Sequence, residues 1–354
     1  MRPFCKVGSL LLIPAFWLLS GCSSAPRRET VLGEAYIGPA TLKLRRELTS
    51  RTADGPALKH GERVEIVGRR RTFVKVRGAQ GVVGWALMSQ LLSTEQMEAL
   101  NRLAQRAAEL PSHGAASVYE PLNVRTEPNR QAPTFHQIRE GERVEVIEQR
   151  LAPRVPFRNP RLLPAPPETT KQAQKPKEPA EPPPPPVPPS TEPALPKPLP
   201  ADTWALVRLA NGRAGWVVAR MVRMDIPDEV AQYSEGHRIT SYFSMGQVSD
   251  RGAVKHNWLW TTIAPGNHEH DFDSFRYFVW SLRHHRYETA YIERNLKGYF
   301  PVTLEQVPVT ARGKTQTMPG FSLIVEEADG ARYRRTYVYQ VYLVRLVSKA
   351  RLGS

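Results

Sequence analysis

Hydrophobic and polar residues alternate with a period of two in two stretches of the first two thirds of this chain, which predicts β-strands there. In the first half, Val64 and Ile66, and then Val74 and Val76, alternate with polar residues between glycine-containing turns. Strands this short and this closely spaced are typical of a small barrel. The pattern therefore predicts a mainly β protein.

One segment has helical periodicity instead. Ser93 and Gln96 form the sequence pattern of a capping box. The apolar residues that follow have helical spacing, and Pro111 ends the run; they are Met97, Leu100, Leu103, Ala104 and Ala107. We expect a linker helix within residues 93–111, with an apolar stripe that packs on a neighbouring barrel.

The last 130 residues, 225–354, have a β pattern that repeats nothing earlier in the chain. Asp329-Gly330 is a good hairpin turn, and the stretch from Tyr333 to Val347 reads as one long strand. We expect a C-terminal domain built on a curved antiparallel sheet, with a short helix between Pro227 and Tyr233 at its entrance.

The chain also repeats itself. With an offset of 80 residues, Leu42 to Glu47 lies over Leu122 to Glu127, and Gly61 to Ile66 lies over Gly141 to Val146 with five consecutive identities. Further along the chain Trp85 matches Trp216, which shows that the offset has grown to 131 residues. The second copy therefore carries an insertion of 51 residues.

Proline content places that insertion at residues 151–201, which contain 19 of the 33 prolines. Proline removes amide donors and favours the polyproline II conformation, so this segment cannot form a core. We expect an extended loop that acts as a spacer or as a docking ligand for a partner with an aromatic groove. It could also fold back on its own barrel or contact the first one.

Four sequence blocks of the second copy resemble the bacterial SH3-like domain family. They are Leu122 to Pro128, Gly141 to Val146, Trp204 to Val207 and Gly212 to Val217. The first copy departs from this pattern at four positions, with Leu44, Leu48, Phe73 and Ala86. The resemblance implies one SH3-like domain at residues 34–92 and a second at 117–224.

Members of that family often bind cell-wall peptides or proline-rich segments, so the resemblance implies a surface cleft. The candidate ligand-binding residues are Arg125, Glu127, Trp204 and Trp216. The alternative for the two Gly-Trp pairs is that Trp85 and Trp216 are core anchors, since an indole buries a large apolar area.

The N-terminus resembles a bacterial lipoprotein signal. Arg2 and Lys6 precede an apolar run, and Leu19-Ser20-Gly21-Cys22 matches the lipobox. The resemblance implies a signal peptide at residues 1–21, acylation of Cys22 and a lipidated tether at 22–33. Ser23 stands where the inner-membrane retention signal has Asp, which implies an outer-membrane anchor that faces the periplasm.

Composition narrows the chemistry. The formal net charge is +15, and in a cell envelope the available acidic partners are peptidoglycan carboxylates and lipid phosphates rather than nucleic acid. Cys5 leaves with the signal and Cys22 is acylated, so a cysteine nucleophile and a thiolate metal site are excluded. We expect no cofactor.

Six of the nine histidines lie in the C-terminal domain, and His268, His270 and Asp271 are weak candidates for metal ligands. Lysostaphin-like wall peptidases use a His-x-His pair, but their glycine-rich strand is missing here. Because these residues follow Pro265-Gly266-Asn267, a solvated polar loop is the simpler interpretation.

These observations predict two small SH3-like barrels, the second with a long proline-rich insertion, followed by a C-terminal antiparallel β-rich domain and joined by one short helix. The favoured function is that of a lipid-anchored, non-enzymatic envelope protein that binds peptidoglycan or peptide segments of envelope proteins. Two alternatives stay open. One is a metal-dependent wall hydrolase in the C-terminal domain, and the other is a structural subunit of an envelope assembly.

The lipobox generates a first prediction. Cys22→Ala removes the acylated side chain, so we expect the protein to leave the membrane fraction and to lose its acyl mass, since each buried CH2 contributes about 0.8 kcal/mol to membrane attachment. Cys5→Ala is the matched control, because that residue lies in the signal. Mass spectrometry and fractionation of cells check both variants, and an acylated Cys22→Ala protein would refute the assignment.

Overall fold

The computed structural model describes residues 30–50, 52–157, 162–163, 199–311, 314–340 and 343–353. By their contacts, Val31–Ser354 form one compact unit. The predicted signal, Cys22 and most of the proline-rich insertion lie outside the described residues. No described helix is long and apolar enough to cross a membrane.

The chain is mainly β, as the alternating pattern predicts. Barrel 1 (residues 33–92) contains seven strands: β1 Gly33–Ile37, β2 Thr41–Lys43, β3 Ala57–Lys59, β4 Arg63–Arg70, β5 Phe73–Gly78, β6 Val83–Leu87 and β7 Leu91–Leu92. Five of them form a sheet in the order β6-β5-β4-β1-β7, and β2 pairs with β3. Leu44, Ile66 and Val76 are fully buried in its core.

Barrel 2 (residues 114–224) also contains seven strands: β8 Gly114–Val118, β9 Leu122–Arg125, β10 Thr134–Ile138, β11 Val144–Pro153, β12 Ala201–Arg208, β13 Ala214–Val218 and β14 Val222–Met224. Their order is β10-β9-β13-β12-β11-β8-β14. Pro153 pairs with Ala201, so the sheet is interrupted only between residues 154 and 200. The interruption is narrower than the predicted 151–201 because the β11–β12 ladder extends into its proline-rich ends.

Helix α1, Thr94–Glu109, lies between the barrels and begins where the sequence predicts. The Ser93 hydroxyl accepts a hydrogen bond from the Gln96 amide at 3.2 Å, and Gln96 Oε1 accepts one from the Ser93 amide at 3.0 Å. This reciprocal pair confirms the capping box. At the other end, Arg208 Nη1 of barrel 2 donates to the Ala107 carbonyl at 2.7 Å, which places a cation at the helix C-terminus.

The two barrels share apolar contacts. Leu92 and the half-buried Tyr36 of barrel 1 pack in one cluster with Leu100 of α1 and with Val118 and Val146 of barrel 2. Each barrel is too small to bury all of its apolar surface alone. The barrels therefore pack as one body with the helix.

The C-terminal domain contains two four-stranded antiparallel meanders. The first consists of β15 Arg238–Asp250, β16 Ala253–Ile263, β17 Ser274–Ser281 and β18 Arg286–Glu293. The second consists of β19 Lys297–Ala311, β20 Lys314–Glu326, β21 Arg332–Gln340 and β22 Leu343–Arg351. Their shared core is aromatic, with Phe275 packed edge-on against Phe321 and Tyr337 at centroid distances of 5.5 and 5.1 Å.

The prediction of one long strand from Tyr333 to Val347 is wrong. Gln340 pairs with Leu343 and Tyr333 pairs with Arg351, so this stretch belongs to the hairpin β21–β22. The apolar pattern runs through the reversal without Gly, Pro, Asn or Asp, which are the usual turn signals. The short entrance helix is present as α2, Asp228–Ala231.

Barrel 2 and the C-terminal domain meet at residues 113–114. The His113 ring stacks on Phe300 at a centroid distance of 3.7 Å, and burial lowers the pKa of His113 to about 4. The Tyr242 amide donates to the His113 carbonyl at 2.8 Å. Gly114 has φ of +131°, and a Cβ there would lie 2.5 Å from the Tyr242 ring, so the junction requires glycine.

A second prediction concerns close packing in the C-terminal core. A Cβ on Gly298 would lie 2.1 Å from the fully buried Phe272 ring, so we expect Gly298→Ala to lower the free energy of unfolding by about 3 kcal/mol. Gly353→Ala is the control, since no atom lies within 4 Å of its Cβ position. Urea denaturation compares the two variants, and equal stabilities would contradict the packing.

Candidate functional site

Two of the predicted ligand-binding residues, Trp204 and Trp216, are 1% and 3% exposed. They lie on the outer face of β12 and β13, while Ala205 and Val207 of β12 face the barrel core. Helix α1 covers this outer face through Ala107 and neighbouring apolar residues. Trp216 therefore anchors the helix rather than the barrel interior, and Trp204, although almost fully buried, forms part of the lining of the cleft described below.

The other two predicted residues lie at the loop after β9. Arg125 is half-buried, pairs with Trp216 in the sheet and donates through Nη1 to the Ala132 carbonyl at 2.7 Å. Burial lowers the pKa of Arg125, with a further contribution from Arg130. Glu127 is exposed on the same loop. Arg125 thus holds the loop 126–133 in place, and Glu127 alone of the four stays open to solvent.

An ion cluster joins this loop to the first residues of the insertion. Asp202 is 5% exposed and accepts hydrogen bonds from Arg130 at 2.7 and 2.9 Å and from Arg154 at 3.0 and 2.8 Å. The hydrogen bonds from these two guanidiniums, Arg130 first, lower the pKa of Asp202 to about 2. Charge-assisted bidentate pairs of this kind fix geometry as well as charge.

The insertion continues along the same loop. The Asn129 amide group donates to the Val155 carbonyl at 2.9 Å, and the Phe157 amide donates to Gln131 Oε1 at 3.0 Å. Between them lies a cleft of about 280 Å³ that is lined by residues 128–131 and 152–156 and by Asp202 and Trp204. The chain's own insertion therefore lines the groove beside this barrel.

A second described part of the insertion contacts barrel 1. Leu162 and Leu163 pack against the barrel 1 core cluster, and the Leu162 carbonyl lies 3.0 Å from the Cβ position of Gly33. The expectation that the insertion could fold back on its own barrel or contact the first one thus holds for both barrels, as far as the described residues extend.

Barrel 1 presents a different outer face. By the repeat alignment, Arg45, Phe73 and Trp85 occupy the positions of Arg125, Trp204 and Trp216. All three are half-buried rather than buried. The Arg45 guanidinium lies 5.2 Å from the Phe73 ring centre, and Arg45 and Trp85 exchange two backbone hydrogen bonds of 2.9 and 2.8 Å. We call this surface the Arg45–Phe73–Trp85 face.

Sequence reasoning missed this face as a site because the second copy matches the family pattern better. The signal that could have found it is the repeat alignment together with helix α1. A single short helix can cover only one of the two equivalent outer faces. In the structure it covers the face of barrel 2, where Trp204 and Trp216 lie.

The three weak metal candidates line one cleft, which is described below, but among the described residues they do not form a set of metal ligands. The His268 and His270 ring centres are 5.1 Å apart, but His268 Nε2 contacts the Ala264 carbonyl at 3.2 Å. The Asp271 carboxylate accepts a hydrogen bond from the Phe300 amide at 3.0 Å, and burial raises the pKa of Asp271 to about 6. Among the described residues, no group of three or more His, Cys, Asp or Glu side chains could hold a metal ion.

The histidine loop packs on barrel 2 instead of extending into solvent. The Asn267 side chain donates to the Ala201 carbonyl at 2.9 Å. Beside it lies a cleft of about 360 Å³ that includes Arg150 and Arg238. Arg238 donates to Gln149 Oε1 at 2.8 Å, and burial lowers the pKa of Arg238 to about 10. This cleft lies between the two domains and is lined by both polar and apolar groups.

No family model matches the chain, and no curated protein matches it. Among solved structures, NlpC2 from Trichomonas vaginalis is similar over 75% of this chain and 98% of its own length, with 11% identity and a TM-score of 0.16. A TM-score this low carries no argument about fold or function.

The Asp202 cluster generates a third prediction. The folded pKa of Asp202, about 2, lies below the ordinary 3.8, so its stabilisation is present above about pH 4 and is lost as the pH falls towards 2. We expect Asp202→Asn to destabilise the protein by about 1 to 2 kcal/mol at neutral pH, since both arginines are partly exposed, and by much less near pH 2.

Asp228→Asn is the control, because the Asp228 side chain pairs with Arg223 but is exposed, and its effect should stay below about 0.5 kcal/mol. Urea unfolding at the two pH values measures both variants. A pH-independent effect of Asp202→Asn would show that the carboxylate charge is not what stabilises the cluster.

Proposed function

We propose that this protein is a lipid-anchored, non-enzymatic binding and scaffold protein of the bacterial cell envelope, attached to the outer membrane through acylated Cys22. Its ligand is peptidoglycan or a peptide segment of an envelope protein. The observation that supports this best is the half-exposed Arg45–Phe73–Trp85 face of barrel 1, whose counterpart in barrel 2 is covered by α1.

The chemistry of the face suits such a ligand. Aromatic rings supply a rigid apolar surface, and tryptophan and arginine are the residues that contribute most at binding interfaces. Wall peptides carry carboxylates, which a guanidinium binds through paired hydrogen bonds. The net charge of the mature protein, +13 after Arg2 and Lys6 leave with the signal peptide, adds a long-range attraction to an acidic polymer.

The second barrel takes the scaffold role in this proposal. Its outer face packs on α1, the groove beside its loop 126–133 is lined by the insertion, and residues 113–114 at its start contact the C-terminal domain. These contacts hold barrel 1 and the C-terminal domain in one body. The Arg45–Phe73–Trp85 face therefore has a fixed position relative to the other domains, unlike a face on a flexibly linked domain.

A fourth prediction tests the face directly. The protein that starts at Ser23, which includes the compact unit Val31–Ser354, is sedimented with purified wall sacculi at low and high salt. We expect Trp85→Ala and Arg45→Gln each to weaken binding at least about tenfold, as loss of an aromatic or arginine anchor does. High salt should weaken the wild type more than Arg45→Gln.

Tyr119→Ala is the matched control, because Tyr119 is an aromatic residue of barrel 2 that is 65% exposed. Thermal melting verifies that each variant is folded. If Trp85→Ala and Arg45→Gln bind sacculi like the wild type, this face is not the binding surface. If the wild type does not bind at all, the wall is not the ligand, and capture of envelope proteins on the same face decides between a peptide ligand and an assembly role.

A further inference from the structure

A pocket of about 210 Å³ lies on the C-terminal domain, on the face of the first sheet that packs against the entrance helix. Its floor is a cross-strand row in which Trp260 pairs with Arg276 and Arg276 pairs with Ile292. The next row pairs Thr262 with Ser274. The segment 233–237 forms one wall, and residues 294–295 contribute to another.

The Arg276 side chain is 8% exposed, and its guanidinium lies 5.6 Å from the Phe278 ring centre. Its hydrogen-bond contact in the described part of the chain is Glu235, at 3.5 Å from Nη2, which is longer than an ordinary hydrogen bond. A guanidinium carries five N–H donors, and no Arg276 nitrogen is among the described buried atoms that lack a partner, so its remaining donors are accessible from the pocket. Arg276 is therefore a nearly buried cation at the floor of a pocket, with N–H donors that remain available to a ligand.

The Glu235 carboxylate lies beside Arg276 at the edge of the pocket. The Glu235 side chain is 61% exposed and lies 3.5 Å from Arg276 and 3.7 Å from Arg294. Its φ of +53° is unusual for a residue with a side chain, and Gly236 follows with φ of +84°. An exposed carboxylate at this distance can move aside when another carboxylate takes its place on Arg276.

Charges of both signs line the pocket. Arg276 and Arg294 are balanced by Glu235 and Asp273. Asp273 is partly engaged, since its Oδ2 accepts a hydrogen bond from the Ala264 amide at 2.7 Å. A balanced pocket disfavours a dianion such as phosphate and suits a ligand that carries one charge of each sign.

We propose that this pocket binds a small zwitterion, an amino acid or a dipeptide. The ligand carboxylate binds Arg276 and its ammonium group binds Glu235. The hydroxyl groups of Ser234, Thr262 and Ser274 supply further hydrogen bonds. The site is separate from the Arg45–Phe73–Trp85 face, so the proposal does not depend on the function proposed above.

Titration calorimetry of the protein that starts at Ser23 tests the proposal. The probes are L-alanine, D-alanine, L-alanyl-L-alanine, N-acetyl-L-alanine, L-alaninamide and inorganic phosphate, each up to about 10 mM, where a ligand with a millimolar Kd also raises the melting temperature. We expect at least one of the three zwitterions to bind, and to bind at least about tenfold more tightly than N-acetyl-L-alanine, L-alaninamide or phosphate, because each of those lacks one of the two charged contacts.

Two substitutions locate the site. Arg276→Lys keeps the charge but loses the planar fork, and Glu235→Gln removes the ammonium partner at an exposed position where folding is not at risk. Each should weaken zwitterion binding at least about tenfold. The matched controls are Arg345→Gln and Glu305→Gln, two exposed residues of the second sheet, and they should bind like the wild type.

Three results would overturn the proposal. One is no binding by any of the three zwitterions. Another is binding that Glu235→Gln leaves unchanged, since this variant is expected to fold normally. The third is equal or tighter binding of phosphate or N-acetyl-L-alanine, which would make the pocket an anion site without an ammonium contact.

Discussion

The packing of helix α1 on the outer face of barrel 2 is the contact on which the rest of the structure depends. Barrel 2 has apolar residues on both faces of β12, with Val207 inside and Trp204 outside, and a barrel this small cannot cover its outer face with its own chain. The helix supplies that cover, and Arg208 fixes its C-terminal end. Because α1 directly follows β7, docking the helix also brings barrel 1 against barrel 2.

This contact makes two similar sequences behave differently. Trp204 and Trp216 of barrel 2 are almost fully buried by packing. Phe73 and Trp85 of barrel 1 stay half-exposed beside Arg45. The proline-rich insertion adds to the difference, since its first residues hydrogen-bond to the loop of barrel 2 and Leu162 and Leu163 pack on barrel 1. The insertion thus ties the barrels together instead of acting only as a spacer.

The C-terminal domain is joined to barrel 2 by a similarly specific contact, in which Gly114 admits the Tyr242 ring and His113 stacks on Phe300. On the outer side of its first sheet, α2 and the residues after it leave the polar pocket around Arg276 uncovered. The Arg276 side chain is nearly buried while its counter-charge, Glu235, is exposed, an arrangement that lowers stability and is typical of binding sites. The domain therefore combines an apolar core with a polar surface that packing alone does not explain.

Local patterns determined most of the fold. Alternation predicted the strands, Ser93 and Gln96 predicted the helix start, and the self-alignment predicted two barrels and the insertion, because each depends on residues close in sequence or on a repeat visible in it. The reversal between Gln340 and Leu343 was not predicted because it lacks the usual turn residues. The candidate site was not predictable in the same way: Trp216 and Trp85 look alike in sequence, and only the tertiary structure decided which one α1 buries. Burial depends on which surfaces meet, and that is set by contacts between residues far apart in the chain.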